Sequence, residues 1–254
     1  MPTHHPGRHE LGQNFLVHTP TIASFVGAVW PTEGPIIEIG AGRGALTLPL
    51  AELGRPVTAI EVDGRAAKAL RRSAPSLVTV ETADFLTYRL PRHRHVLVGN
   101  LPFHLTTAVL RRILRAPAWT DAVLLVQWEV ARRRAGVGGA TLMTAQWWPW
   151  YTFALLNRVP ARAFRPVPNV DGGILTITRR TTPLVGDRSS YQHFVQQVFT
   201  GRGRGLADTV ARTTPGLTRH KVTAWMRDHD IRSDVRPKDL TATDWVALYE
   251  VHRS

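Results

Sequence analysis

The tetrapeptide Asn100-Leu101-Pro102-Phe103 brings together groups that suit an aromatic ring carrying an amino group. It ends the apolar run 97–99, which predicts a strand that delivers these residues to one point. The Asn100 amide oxygen and the proline-fixed Leu101 carbonyl are two hydrogen-bond acceptors, and Phe103 offers a face for stacking. Two acceptors and an aromatic face suit adenine or cytosine. We therefore predict Asn100, Leu101, Pro102 and Phe103 as catalytic residues, although the tetrapeptide alone also suits an ordinary strand-to-turn exit.

A glycine-rich turn precedes this tetrapeptide. The segment Glu38-Ile39-Gly40-Ala41-Gly42-Arg43-Gly44 leaves a predicted strand and enters a predicted helix. Glycines at alternate positions let the backbone approach a ligand closely, while helix N–H groups point at it. The spacing GxGxG is one residue short of the dinucleotide fingerprint GxGxxG, and a pyrophosphate fits poorly beside Glu38.

Two carboxylates follow at the ends of the next two predicted strands. Glu61 is placed to hold ribose hydroxyls, and Asp84 is placed to accept a hydrogen bond from an adenine amine. With the glycine turn they describe a pocket for an adenosine with a short non-phosphate tail. The alternatives are a turn that serves packing only and carboxylates that are solvated strand ends.

Alternating strand and helix patterns must position these groups. Predicted strands at 35–39, 57–62, 77–81, 96–98 and 122–126 alternate with predicted helices at 45–53, 65–72, 106–115 and 129–134. This alternation predicts an α/β fold with a mainly parallel sheet, whose ligands bind at the carboxyl ends of the strands.

Beyond about residue 180 only helical patterns remain, with apolar stripes at 191–199, 222–226 and 245–249. We expect a basic flexible tail at 1–10, a catalytic domain at 11–180 and a small all-α domain at 181–254.

The chain of 254 residues carries a net charge of +13, mostly from arginine. Such an excess favours a polyanionic partner, and nucleic acid fits better than an effect on solubility or an anionic membrane surface. The sequence contains no cysteine, which excludes disulfides and thiolate metal sites. It also contains no run of 18 consecutive apolar residues, the length that a membrane-spanning helix needs. We expect a cytoplasmic protein without a metal site, because the histidines show no ligand-pair spacing.

Several side chains could contact RNA phosphate or could equally form a solvated face. These are the helical arginines Arg111, Arg112, Arg115, Arg132, Arg133 and Arg134, and Arg202 and Arg204 in a glycine-rich turn of the helical domain. The cluster Trp147, Trp148 and Trp150 invites a base-stacking role, but a strand that enters the core explains it more simply.

The order of the motifs resembles the ribosomal RNA adenine dimethylases. The matching segments are Gly12-Gln13-Asn14-Phe15-Leu16, Glu38 to Thr47, Ala59-Ile60-Glu61-x-Asp63, Ala83-Asp84-Phe85, Asn100 to Phe103, and Val159-Pro160-x-x-x-Phe164-x-Pro166-x-Pro168-x-Val170. Within this group the chain is most similar to the Erm macrolide-resistance methyltransferases, through Gln127 to Ala131, Gly136 to Gly139 and Val170 to Gly173.

This resemblance implies a Rossmann-like fold with a mainly parallel seven-stranded sheet, and S-adenosylmethionine as the methyl donor. It implies methylation of N6 of one adenine in 23S rRNA, at the macrolide-binding site, by a monomer acting on free RNA or on a ribosome assembly precursor. The cofactor residues that it implies are Gln13, Asn14, Leu16, Glu38, Gly40, Gly42, Glu61, Val62, Asp84, Phe85 and Asn100. The RNA-contacting residues that we expect are Phe103, Phe164, Arg111, Arg112 and Arg134.

Three other functions share part of this pattern. The sister group that dimethylates adenines of 16S rRNA has nearly the same motifs. A non-catalytic RNA-binding protein could retain the fold, although the intact cofactor turn and tetrapeptide speak against it. A NAD-dependent oxidoreductase would need GxGxxG and has no use for Asn100-Leu101-Pro102-Phe103.

Overall fold

The computed structural model describes residues 14–253, which contain a seven-stranded sheet. Its strands, with the short strands β1 and β8 that pair separately, are β1 (Phe15–Leu16), β2 (Ile36–Ile39), β3 (Val57–Glu61), β4 (Val78–Thr82), β5 (His95–Asn100), β6 (Trp119–Gln127), β7 (Tyr151–Val159), β8 (Phe164–Arg165) and β9 (Gly172–Arg179). The order in the sheet is β4-β3-β2-β5-β6-β9-β7.

The first five strands of this sheet run parallel, as the alternation of patterns predicted. Strand β2 pairs in parallel with both β3 and β5, with Ile36 opposite Val57 on one side and Val96 on the other. Strand β9 then joins β6 in antiparallel orientation. All four residues of β2 are buried, as expected for a parallel strand covered on both faces. The predicted α/β class and the mainly parallel seven-stranded sheet are confirmed.

The strand order places a topological switch point between β2 and β5. From β2 the chain moves outward through β3 and β4, and it then returns to the other side of β2 to form β5 and β6. Connections therefore leave the carboxyl ends of β2 and β5 in opposite directions. A crevice opens at such a point, where α/β folds bind their ligands.

Ten helices are present in the described part of the chain. They are α1 (Thr19–Val29), α2 (Thr47–Ala51), α3 (Gly64–Ser73), α4 (Thr106–Arg115), α5 (Trp128–Arg134), α6 (Leu142–Trp147), α7 (Arg188–Thr200), α8 (Leu206–Thr213), α9 (Arg219–Asp228) and α10 (Ala242–Arg253). Helix α2 is shorter than the predicted 45–53, and Pro49 falls in its first turn, where a missing N–H costs no hydrogen bond. The Asp63 carboxylate caps α3 by accepting from the N–H groups of Arg65 and Ala66.

The chain divides into two compact units. One contains the described residues up to Ala131 together with Leu155–Thr178, and the other contains Arg132–Ala154 and the residues from Arg179 onward. The last boundary along the chain, between Thr178 and Arg179, lies near the predicted residue 180. The segment Arg132–Ala154, however, groups with the C-terminal helices rather than with the catalytic domain to which the sequence assigned it.

An aromatic core stabilises the second unit. Trp147, Trp148 and Trp150 are all buried, and the rings of Trp147 and Trp150 meet edge to face at 6.3 Å. Their place in the core agrees with the sequence interpretation. The strand predicted to carry them was wrong, because Trp147 ends α6, and Trp148 and Trp150 precede β7. Tyr191 packs against Trp150 at 5.7 Å, which connects this cluster to α7.

Within residues 14–253, no helix is both long enough and apolar enough to cross a membrane. The same residues contain no group of three or more His, Asp or Glu side chains that could hold a metal ion.

Gly99→Ala tests how closely β5 approaches β2. A methyl group at Gly99 would lie 2.7 Å from the Ile39 carbonyl oxygen, a backbone atom that cannot move away cheaply. We expect a loss of about 1–3 kcal/mol in the free energy of unfolding, measured by chemical denaturation. The control is Gly27→Ala on α1, where nothing lies within 4 Å. That variant should gain about 0.5–1 kcal/mol, and equal effects of the two variants would contradict the packing argument.

Candidate active site

A cavity of about 470 Å³ opens at the switch point, where the carboxyl ends of β2, β3 and β5 meet. Most of the residues predicted to bind a cofactor line it. They are Asn14, Leu16, Glu38, Gly40, Gly42, Glu61, Val62 and Asn100, together with the predicted catalytic residues Leu101, Pro102 and Phe103. Gln13 lies outside the described residues. The tertiary structure thus gathers motifs that are spread over almost ninety positions of the chain.

The glycine turn after β2 has a backbone that ordinary residues rarely adopt. Gly40, Gly42 and Gly44 have φ angles of +71°, +55° and +89°. A Cβ atom at Gly42 would also lie 3.3 Å from the Phe15 ring, so the turn and β1 approach closely. Glycine is therefore required for both conformation and space.

Glu61 connects the glycine turn to the end of β3. Its carboxylate is buried and accepts hydrogen bonds from the N–H of Gly42 at 2.7 Å and from the N–H of Asp63 at 2.8 Å. Each bond uses a different oxygen, and a carboxylate oxygen can accept more than one hydrogen bond. Glu61 can therefore hold the turn in place and still accept from ligand hydroxyl groups.

Glu38 is a second buried carboxyl group in the same cavity. It is 2% exposed, and Thr47 donates a hydrogen bond of 2.5 Å to its Oε2 atom. Burial raises the pKa of Glu38 to about 8; the Thr47 hydrogen bond lowers this pKa, and the nearby Glu61 charge raises it. The cavity therefore holds a carboxyl group whose charge depends on what lies beside it.

Asn100 is oriented by a hydrogen bond from its own amide. Its Nδ2 donates to the Asn14 carbonyl oxygen at 2.8 Å. Because a carbonyl can only accept, this contact assigns the nitrogen of the amide and leaves Oδ1 as its acceptor. The next residue is tied down as well, since the Leu101 N–H donates to the Leu125 carbonyl of β6 at 2.9 Å. The acceptors predicted from the sequence thus lie on a rigid backbone.

Phe103 lies at the cavity in a short 3₁₀ helix, Phe103–Leu105, and is partly exposed. Phe164 contacts it edge to face, with ring centroids 6.5 Å apart. Phe164 itself is fully buried in the core. Its prediction as a stacking surface for RNA was therefore wrong, because a buried ring has no free face; it supports Phe103 instead.

Asp84 and Phe85 are not among the described residues that line the cavity. Asp84 is exposed and its Oδ1 accepts from the N–H of Leu86 at 2.8 Å, which shapes the loop after β4. Phe85 is buried, and the Arg112 guanidinium lies over its ring at 5.6 Å. Their roles in cofactor binding remain predictions.

The three arginines predicted to contact RNA differ in their surroundings. Arg111 is exposed. Arg112 is half-buried, stacks on Phe85 and donates to the Tyr88 carbonyl. Arg134 is half-buried and donates to the Thr141 hydroxyl. Arg112 and Arg134 thus hold loops and helices together, and the contacts of all three arginines with RNA remain predictions.

Residues that were not selected from the sequence also line the cavity, among them Phe15, Arg43 and Arg165. Phe15 lies within the motif at residues 12–16, which could have indicated it. Arg43 lies over the Phe15 ring at 5.8 Å. Arg165 reaches this place because β8 pairs with β1, with Arg165 opposite Phe15. No local pattern signals that long-range pairing.

Taken together, the site presents a glycine cradle with two buried carboxyl groups beside an oriented amide and an accessible phenyl ring. The glycine turn and the carboxyl groups suit a nucleoside with a cationic tail. The oriented amide and the phenyl ring suit an aromatic amine.

Comparison with known proteins agrees with this geometry. A family model described as ribosomal RNA adenine dimethylase matches residues 4–253. An rRNA adenine N-6-methyltransferase of Corynebacterium diphtheriae is 57% identical over 215 residues, which cover 84% of this chain and 85% of that protein. The mycinamicin-resistance protein MyrB of Micromonospora griseorubida is 47% identical over 250 residues, covering 97% of this chain and 79% of MyrB.

Among solved structures, the crystal structure of the 23S rRNA methyltransferase ErmE superimposes with a TM-score of 0.86. The two sequences are 32% identical, and the match covers 95% of this chain and all of the ErmE chain.

Glu38→Gln tests the buried carboxyl group through the pH dependence of stability. Its pKa is raised from an ordinary 4.5 to about 8 in the folded chain. The folded state thus holds the proton more tightly, and the stability gained from protonation is complete below about pH 4.5 and lost as the pH rises through about 8. Glutamine cannot ionise. As the pH is raised from about 5 to about 8, the wild type should lose this stability and the variant should not. The melting temperature of the variant minus that of the wild type should therefore increase over this pH range.

The matched control is Glu33→Gln, which removes one carboxylate from an exposed position. A difference between Glu38→Gln and wild type that stays constant over this pH range would contradict the assignment.

Proposed function

The chain belongs to the ribosomal RNA adenine dimethylase family, and from this membership we infer that it is an enzyme that methylates N6 of an adenine in ribosomal RNA. We propose that this adenine lies in 23S rRNA, at the macrolide-binding site of the peptidyl-transferase region. Methylation there would give resistance to macrolide, lincosamide and streptogramin B antibiotics. The similarity to MyrB and to ErmE, proteins named for mycinamicin resistance and 23S rRNA methylation, supports this substrate.

The observation that carries the chemistry is the position of the oriented Asn100 amide. It lies in the same cavity as the glycine turn, with its nitrogen bound to Asn14 and its oxygen as the acceptor. An acceptor of this kind beside a cofactor cavity is what methylation of an aromatic amine requires.

The family is of the kind that uses S-adenosylmethionine, and the residues of the cavity fit that cofactor. Glu61 is available to the ribose hydroxyls, the glycine turn allows close approach of the backbone, and a positive charge nearby would favour the ionised form of the Glu38 carboxyl. We propose S-adenosylmethionine as the methyl donor. When bound, it supplies a methyl group on a sulfonium, which is an excellent leaving group.

The chain itself prepares the nucleophile. The N6 lone pair of adenine is delocalised into the ring, so the free amine is a poor nucleophile. Hydrogen bonds accepted by Asn100 Oδ1 and the Leu101 carbonyl would draw the amine toward tetrahedral geometry and localise this lone pair. Phe103 would fix the plane of the ring by stacking, and in-line positioning of the reacting atoms then supplies most of the acceleration.

No strong base is needed in this scheme, because the methylated ammonium is acidic and can lose its proton to solvent. The adenine must first leave its stack, which costs a few kcal/mol and less in a loop than in a duplex. We propose that the substrate is 23S RNA that is free or part of an assembly precursor. We also propose that the chain acts as a monomer.

The test of this function is the identity of the labelled base. The chain would be incubated with tritiated S-adenosylmethionine and with protein-free 23S or 16S RNA, and the modified nucleotide would then be mapped. We expect label in a single adenine of 23S RNA at the macrolide site. Label in 16S RNA alone would overturn the proposed substrate.

Asn100→Ala removes the oriented acceptor. We expect kcat to fall at least about a hundredfold, because the amine is no longer positioned. Cofactor affinity measured by calorimetry should stay within about threefold of wild type, because the glycine turn and Glu61 are unchanged. Asn100→Asp is the matched variant, because it keeps an oxygen but places a carboxylate against the Asn14 carbonyl. Wild-type turnover in Asn100→Ala would disprove this mechanism.

Phe103→Ala removes the partly exposed ring that would stack on the target base. Stacking on an aromatic side chain contributes about 1–3 kcal/mol per base. We expect kcat/KM for RNA to fall by a factor of about 5–150, whereas Phe103→Tyr should keep most of the activity. If alanine and tyrosine reduce kcat/KM equally, the ring does not act by stacking.

A further inference from the structure

A groove of about 590 Å³ lies on the catalytic unit, between the loop after β4 and helix α4. Arg89 from the loop and Arg111, Arg112 and Arg115 from α4 line it, and none of the described residues that line it is acidic. Leu86 and other apolar side chains complete its wall. We name it the arginine groove. It shares no lining residue with the cofactor cavity.

One of the four arginines is fixed in place. The Arg112 guanidinium lies over the Phe85 ring and donates to the Tyr88 carbonyl. Its Nε atom is buried and has no hydrogen-bond partner among the described residues. Arg89, Arg111 and Arg115 are exposed. The groove therefore combines one rigid guanidinium with three that are free to move.

The charges in the arginine groove are not balanced by the protein. Within residues 14–253, none of the four arginines forms an ion pair with an acidic side chain; the ion pairs that are present involve other arginines. Arg111 and Arg115 are one helical turn apart, and like charges at this spacing destabilise a helix. A polyanion bound in the groove would offset this repulsion.

From this arrangement we propose that the arginine groove binds the phosphate backbone of the substrate RNA on one side of the target adenine. The proposal rests on the proposed function for the identity of the RNA. A guanidinium group can bind a phosphate through two parallel N–H···O hydrogen bonds. A groove of this volume has room for more than one phosphate group.

The position of the groove along α4 fits this role. Helix α4 begins at Thr106, directly after the short helix that carries Phe103. At 1.5 Å per residue, Arg111 and Arg115 lie about 8 Å and 14 Å along the axis from its start. A strand whose adenine enters the cavity beside Phe103 can therefore continue along α4, with its next few phosphates over the arginines.

The test compares two triple variants of equal charge. Arg89→Gln, Arg111→Gln and Arg115→Gln together remove the exposed cations of the groove. Arg65→Gln, Lys68→Gln and Arg72→Gln remove three exposed cations from α3, outside the groove. Affinity for a labelled 23S RNA fragment would be measured by filter binding at several salt concentrations, with cofactor affinity and melting temperature as checks on folding.

For the groove variant we expect at least a tenfold loss of RNA affinity at physiological salt, because three phosphate contacts are lost. The slope of log affinity against log salt should decrease by about 2–3. The control variant should lose less than about threefold, since it changes only the long-range field, which salt screens. Replacing the three groove residues by lysine should restore most of the affinity, because the positive charge is retained. Cofactor affinity should be unchanged in all variants.

Equal losses in the two triple variants, or no loss in either, would overturn the groove as an RNA site. So would wild-type chain that does not bind the RNA at all. If the groove variant loses affinity selectively but wild type does not methylate the fragment, the groove is supported and the proposed function fails. If wild type methylates the fragment and the groove variant behaves like the control, the function stands and the groove proposal fails.

Discussion

The parallel pairing of β5 with β2 is the constraint on which the rest of the site depends. The two strands are about sixty positions apart in the chain, yet Ile36 lies opposite Val96 and their carboxyl ends finish side by side. The approach is so close that only glycine fits at position 99, next to the Ile39 carbonyl. Because of this pairing, the glycine turn that follows β2 and the tetrapeptide that ends β5 face the same cavity. A sheet with another strand order would hold the same motifs and bring none of them together.

Hydrogen bonds then convert this proximity into a defined geometry. Glu61 binds the N–H of Gly42 and so holds the glycine turn against the end of β3. The Asn14 carbonyl binds the Asn100 amide and so decides which of its two atoms faces a substrate. Both bonds are partly or wholly buried, where a hydrogen bond is least exposed to competition from water. The positions of the acceptors are therefore set before any ligand binds, and catalysis by positioning depends on such preorganisation.

Charge is distributed unevenly between the inside of the site and its surroundings. The cofactor cavity holds two buried carboxyl groups, Glu38 and Glu61, of which Glu38 has its pKa raised to about 8 by burial. The surface of the same unit carries an excess of arginine, part of it in the arginine groove. A buried carboxyl group that ionises beside a positive charge suits a cationic donor, and a positive exterior suits an anionic RNA. One chain can thus attract two substrates of opposite charge to adjoining places.

The sequence by itself determined the α/β class, the parallel sheet and most of the cofactor cavity, because these depend on local signals. Strand and helix periodicity, the glycine spacing and the residues at strand ends are all readable within a few positions, and Glu38, Gly42, Glu61 and Asn100 were found in this way, whereas Asn14 came from the family resemblance. Only the tertiary structure decided burial and partners. It placed Phe164 inside the core, engaged Arg112 and Arg134 in contacts within the protein, and brought Arg165 to the cavity through the pairing of β8 with β1. An exposed and a buried arginine look the same in a sequence, since exposure depends on which distant segments pack against a side chain.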